Sequence, residues 1–161
     1  MMRILNKISA IVVLLSAVFC LGSCGGGGGT STFVLTGFFT TTNVVGATMA
    51  HIHDGEVGKT GLPVVGLVQT APGTWTVPAN FVLTDAQVLR LKAGANYVNV
   101  HTTLNPDGEI RGQLVVSSTN PNMFTATLTL ADEVPTPVTP AGASPTGSGS
   151  VTLTFPAGAA Y

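Results

Sequence analysis

The run "NYVNVHTTLNPDGEIRGQL", Asn96 to Leu114, restricts the fold more than any other part of the chain. Aliphatic and polar residues alternate in "YVNVHT" and again in "EIRGQL". That period of two belongs to a strand with one face in a core and the other outside it. Between the two halves stand Pro106, Asp107 and Gly108. They bring a fixed φ, a side chain that can hydrogen-bond its own backbone and tolerance of positive φ, the chemistry of a tight turn. Strand, turn and strand together predict a β-hairpin.

Other segments read the same way. "STFVLTGFF" is a strand with Phe33, Leu35 and Gly37 on one side, and "TTTNVVGATMAHIH" is a second extended piece. "DGEVGKTGLP" is a Gly-dense loop closed by Pro63, "VVGLVQT" a short strand, and "APGTWTVP" a turn and return. The pattern changes only at "LTDAQVLRLKAG". There Thr84 and Gln87 have capping-box spacing, Val88 and Leu91 share a side, and Gly94 supplies a stop. A helix is predicted from Thr84 to Ala93. Beyond it, strands are expected at Phe124 to Leu130 and Ser150 to Phe155, separated by a Pro-rich bend and a Gly/Ser loop. With 8% charged residues and abundant Val, Thr and Gly, the composition is that of a β-protein.

The N-terminus concerns location. Arg3 and Lys7 precede an apolar run from Ile8 to Leu21, of signal-peptide length and short for a spanning helix. The run ends in "LGSC", Leu21 to Cys24, which resembles a bacterial lipobox. That resemblance implies cleavage after residue 23 and fatty acylation, such as palmitate, on Cys24, giving a membrane anchor. A glycine-rich tether over 24–32 follows. Gly25, where inner-membrane retention uses Asp, implies the outer membrane by the Gram-negative sorting pattern. The expected location is the bacterial cell envelope. Cys20 leaves with the signal and Cys24 carries lipid, so no disulfide is expected. The exported part has four basic and seven acidic residues, a formal net charge of −3, and no basic patch for nucleic acid.

The stretches "AHIHDGEVGKTGLPVV" and "LTDAQVLRLKAGANYVNVHTTLNPDGEIRGQL" resemble the CHRD domain, the family named after chordin. The likeness runs from Ala50 to Leu114. It implies an all-β, antiparallel, sandwich-like fold with one short helix, acting as a binding or structural module. In chordin the domain belongs to an extracellular antagonist of bone morphogenetic proteins, and that partner does not carry over to an envelope protein on fold alone. The family's front half, a strand followed by "EVPPV", is missing before "AHIH". A similar stretch lies behind, as "FTATLTLADEVPTPV" at Phe124 to Val138, with Thr136 where proline is more usual. Glu133 falls where the family places its own acid, in a structural role. The chain therefore divides into a domain over 33–117 and a second segment over 123–161. That segment is either the start of a truncated repeat or the part that completes the first.

The three histidines of the chain lie in this region. Strand alternation puts His51, His53, Asn99, His101, Glu109 and Arg111 on one polar side once the aliphatics are given to the core. Three imidazoles and a carboxylate suit copper or zinc, so His51, His53, His101 and Glu109 form a candidate metal set. "H-I-H" is similar to the "H-V-H" of copper/zinc superoxide dismutase. That enzyme needs more histidines than this chain has, one of them bridging, together with a disulfide. The other reading is architectural: His51 or His53 anchors the "DGEVGKTG" loop, and His101 braces the hairpin turn. Glu109 and Arg111 would then make surface ion pairs, each worth under about 1 kcal/mol. No cofactor is required on that reading. Catalytic signatures are missing from the sequence: there is no G-x-S-x-G elbow, and "GGGGG" lacks the lysine of a phosphate loop. A non-enzymatic module is expected, its protein or small-molecule partner open.

Overall fold

The computed structural model describes residues 32–139 and 147–155. The signal segment, Cys24 and the tether lie outside the described residues. Eleven strands and one helix follow in order. They are β1 (Phe33–Thr42), β2 (Ala47–Asp54), β3 (Leu62–Gly66), β4 (Val68–Ala71), β5 (Thr74–Thr76), β6 (Phe81–Leu83), α1 (Asp85–Lys92), β7 (Asn96–Thr102), β8 (Ile110–Gln113), β9 (Val115–Val116), β10 (Met123–Thr129) and β11 (Ser148–Thr154). All pairings are antiparallel. This is the all-β, sandwich-like architecture with one short helix that the sequence implies.

The sheet runs β3-β2-β7-β8-β10-β11-β1-β5-β4, with β6 on β1 and β9 on β10. Its two ends, β3 and β4, are neighbours in the chain, so the sheet bends round and nearly closes. "VVGLVQT", expected as one strand, is broken at Leu67. The Leu67 N–H donates to Ala50 O (2.9 Å), while β3 pairs with β2 and β4 with β5. One segment thus serves both ends of the sheet, and closing them protects backbone groups that an open edge would expose.

The concave side is apolar. Val98, Val100, Ile110, Leu114, Phe124 and Leu128 are fully buried, and Ile52, Leu35, Phe39 and Leu153 are nearly so. Each such side chain contributes about 1.5–3 kcal/mol by leaving water. Alternation delivers them: along β10, Phe124, Ala126 and Leu128 face inward, while Thr127 between them is exposed. The helix follows its capping signal. Thr84 Oγ1 accepts from Gln87 N (3.3 Å), and Gln87 Oε1 accepts from Thr84 N (2.8 Å). Ala93 is the C-cap, Gly94 follows at φ 70°, and Val88 and Leu91 are buried.

The segment after residue 120 is part of this sheet. β10 pairs with β8, β9 and β11, and β11 pairs with β1 from Thr36 to Thr42. The observed limits, Met123–Thr129 and Ser148–Thr154, differ from the sequence expectation by one or two residues.

Candidate functional site

The outer face of β2, β7 and β8 is polar yet largely covered. Register sets His51 against Asn99, His53 against Tyr97, Met49 against His101, and Asn99 against Arg111. Two loops close over this face. The 55–61 loop is drawn down by Gln113 Nε2 donating to Gly55 O (2.9 Å) and Arg111 Nη2 donating to Glu56 O (3.1 Å). Gly61 N donates to Tyr97 Oη (3.1 Å). A Cβ at Gly61 would overlap the Asp54 carbonyl, so only glycine lets the loop come this close. The second loop, after β10, is held by Asn105, whose side chain accepts from Val138 N (2.7 Å) and donates to Val138 O (3.1 Å).

Under these loops the three histidines meet. His53 Nδ1 donates to Gly61 O (2.9 Å), and His101 Nδ1 donates to Pro106 O (2.9 Å). A carbonyl can only accept, so both rings carry their proton on Nδ1 and leave Nε2 bare when neutral. His51 Nδ1 lies 3.1 Å from His101 Nε2 and donates to it. His53 Nε2 is buried without a partner. One ring nitrogen from each of the three lies within 4.8 Å of the others. The ring centroids are 5.1, 5.5 and 5.6 Å apart. The loop-anchoring and clustering roles therefore coexist: Nδ1 of His53 and His101 holds a loop or turn, while one nitrogen of each ring gathers at a common centre.

The surroundings keep the rings neutral. Burial, first of all, lowers the pKa of His51, His53 and His101 below the usual imidazole value. His51 and Arg111 add repulsion at His53, against the Gly61 hydrogen bond. The Tyr97 ring stacks on His53 (4.9 Å, 11°), and the Arg111 guanidinium sits 3.6 Å from the Tyr97 centroid. Neutral imidazoles with bare nitrogens are the form that takes a metal ion.

Glu109 does not join them. It precedes β8, and its Oε2 accepts from Thr102 Oγ1 (2.6 Å) and Asn105 Nδ2 (3.2 Å). The hairpin turn captures the carboxylate before the strand's alternation can present it. The candidate set is corrected to the three histidines. Arg111 is corrected too: it is 2% exposed, and its guanidinium bonds a loop carbonyl instead of forming a surface ion pair with another strand. Asp54 binds Arg90 (2.7 Å).

Two further residues belong to the site, Tyr97 and Glu133, the second expected from the sequence only in a structural role. Tyr97 lies two positions before Asn99 on the same strand face, so alternation could have placed it. Glu133 comes from the loop after β10, where no local pattern points to the histidine face. Its Oε1 accepts from Asn99 Nδ2 (3.3 Å) and Val134 N (3.1 Å), and its Oε2 is buried without a partner. Burial raises its pKa to about 7, against the Val134 N–H, Arg111 and Asn99. Gly108, at φ 141°, makes room, since a Cβ there would overlap both Asn99 and Glu133.

Comparison with known proteins gives one match. The family model described as CHRD domain matches residues 23–114, more than half of the chain. No curated protein and no solved structure matches.

Proposed function

Because this chain belongs to the CHRD domain family, we propose that it is a binding module of the bacterial cell envelope, anchored by lipid on Cys24, whose ligand is a copper or zinc ion. The convergence of three neutral imidazoles carries this reading: the donor nitrogens of His51, His53 and His101 lie within 4.8 Å of one another. Two nitrogens bonded to one zinc at about 2.0–2.1 Å in tetrahedral array stand about 3.3 Å apart. The His51–His101 separation of 3.1 Å already fits, and His53 closes from within 4.8 Å on binding. The Gly61 and Pro106 carbonyls fix the tautomers of His53 and His101, as outer partners do at metal sites. On binding, the His51 proton shifts from Nδ1 to Nε2, so that Nδ1 is released for the ion and the ring stays neutral. The ion serves as ligand or structural cross-link, and the role is binding, not catalysis.

Calorimetric titration of the full chain in detergent with zinc and with copper(II) tests this. One ion per chain is expected, and His53→Ala should abolish binding. At ion concentrations about a hundredfold above Kd, the wild type should gain about 2.7 kcal/mol of stability, a gain the variant lacks. No binding by the wild type, with His53→Ala only less stable, would assign the histidines to loop anchoring alone.

The anchor rests on the order basic, apolar, "LGSC", glycine tether, with Gly25 favouring the outer membrane. Cys24→Ala should leave full-length precursor in the envelope fraction and remove fatty-acid labelling. Normal cleavage of that variant, with a wild type equally unlabelled, would mean an ordinary secretory signal.

A further inference from the structure

On β2 the core side is taken by Ala50 and Ile52, which are 1% and 2% exposed. Met49, His51 and His53 therefore alternate onto the opposite, polar face. A register shift between Ala47 and Met49 brings Met49 directly opposite His101 on β7. Side chains so opposed have Cβ atoms about 4.5–5.5 Å apart. Met49 is 48% exposed and packs into no core, so its thioether is free to choose a rotamer. Methionine has three rotatable side-chain bonds and a polarizable sulfur that accommodates irregular sites.

We infer that Met49 Sδ completes the three-histidine centre as a fourth, soft ligand, and that the ion this centre selects is copper in its reduced, monovalent state. The inference rests on the metal-binding reading above and goes beyond it in naming a ligand and an ion. Imidazole serves both zinc and copper, whereas a thioether adds little for zinc and much for copper(I). The carboxylates nearby are otherwise engaged: Glu109 is held by Thr102 and Asn105, Asp54 by Arg90, and Glu133 accepts from Asn99 and Val134 through Oε1. Three nitrogen donors and one thioether, all neutral, suit a monovalent ion better than a divalent one, whose charge they would leave unbalanced.

The test uses the full chain in detergent with Cys20→Ser and Cys24→Ser, so that no thiol competes for copper. Copper(I) is titrated against a chromogenic chelator under reducing conditions, zinc separately, and the copper-loaded protein is examined by X-ray absorption. One copper(I) per chain and a sulfur neighbour in the absorption spectrum are expected. Met49→Leu should lose the sulfur signal and weaken copper(I) about tenfold or more while leaving zinc affinity within about twofold. Unchanged copper(I) affinity in Met49→Leu, with only nitrogen neighbours in the wild type, overturns the role of Met49 and leaves the three-histidine reading standing. Failure of the wild type to bind copper(I), copper(II) or zinc overturns both.

Discussion

A chain ending at Asn120 should fail to fold cooperatively and should aggregate. Removing β10 and β11 takes two adjacent strands from the middle of the sheet and leaves β8 and β1 with unpaired backbone on the sides they occupied. It also removes Phe124, Leu128, Val151, Leu153 and Phe155 from the core, where none is more than 4% exposed. At about 1.5–3 kcal/mol each, these five contribute on the order of 10 kcal/mol. That is comparable with the whole net stability of a domain, about 5–15 kcal/mol. The exposed edges then offer templates for pairing with other chains. Size-exclusion chromatography and urea unfolding of the shortened chain provide the check. A monomer with a single sharp transition would show that β1 to β9 hold a core of their own, even though the tail pairs with them. The family match ends at Leu114, so the outcome also tells whether its matched part is self-sufficient here.

Glu133→Gln should make the metal-free protein more stable at neutral and alkaline pH than at acid pH, relative to wild type. The Glu133 carboxyl is 4% exposed, and its pKa is raised from 4.5 to about 7, first of all by burial. A raised carboxyl pKa means that the unfolded chain loses its proton before the folded one does. The stability associated with the neutral carboxyl is full below about pH 4.5 and declines as pH rises to about 7. The total loss is about 3 kcal/mol, at 1.36 kcal/mol per unit. A glutamine cannot ionise, so the difference between variant and wild type should move by about that amount in the variant's favour between pH 4.5 and pH 8. Comparing the two proteins at two pH values cancels any constant packing cost of the amide. A difference that does not change with pH would mean that Glu133 ionises as an ordinary surface acid.

The histidines act with the opposite sign. Their folded pKa values are lowered, so they favour the folded state fully above about pH 6.5 and lose that contribution as pH falls below it. Between about pH 4.5 and 6.5 the wild type carries both slopes, whereas Glu133→Gln keeps only the histidine slope. The variant should therefore lose more stability on acidification through that window than wild type does. Any bound metal would deepen this acid sensitivity, because protons compete for the same nitrogens.

The sequence alone determined what depends on neighbours along the chain. Alternation put His51, His53, Asn99, His101 and Arg111 on one face and Val98, Val100, Ile110 and Leu114 on the other. Capping residues fixed both ends of α1 to within a residue, and "NPDG" fixed the hairpin. The lipobox resemblance likewise follows from adjacent residues alone. The tertiary structure decided which strands became neighbours, and with that the chemistry of the site. A period of two assigns a side chain to a face but says nothing about the register across strands or about the loops that cover the face. Register set Met49 opposite His101 and aimed three rings at one point. The 55–61 loop and the segment around Glu133 then removed water, which lowers the histidine pKa values, raises that of Glu133 and turns Arg111 from an expected surface charge into a buried one. Glu109 shows the limit most plainly: its position in the alternation assigns it to the histidine face, but hydrogen bonds from Thr102 and Asn105, formed only once the hairpin closes, hold its carboxylate away.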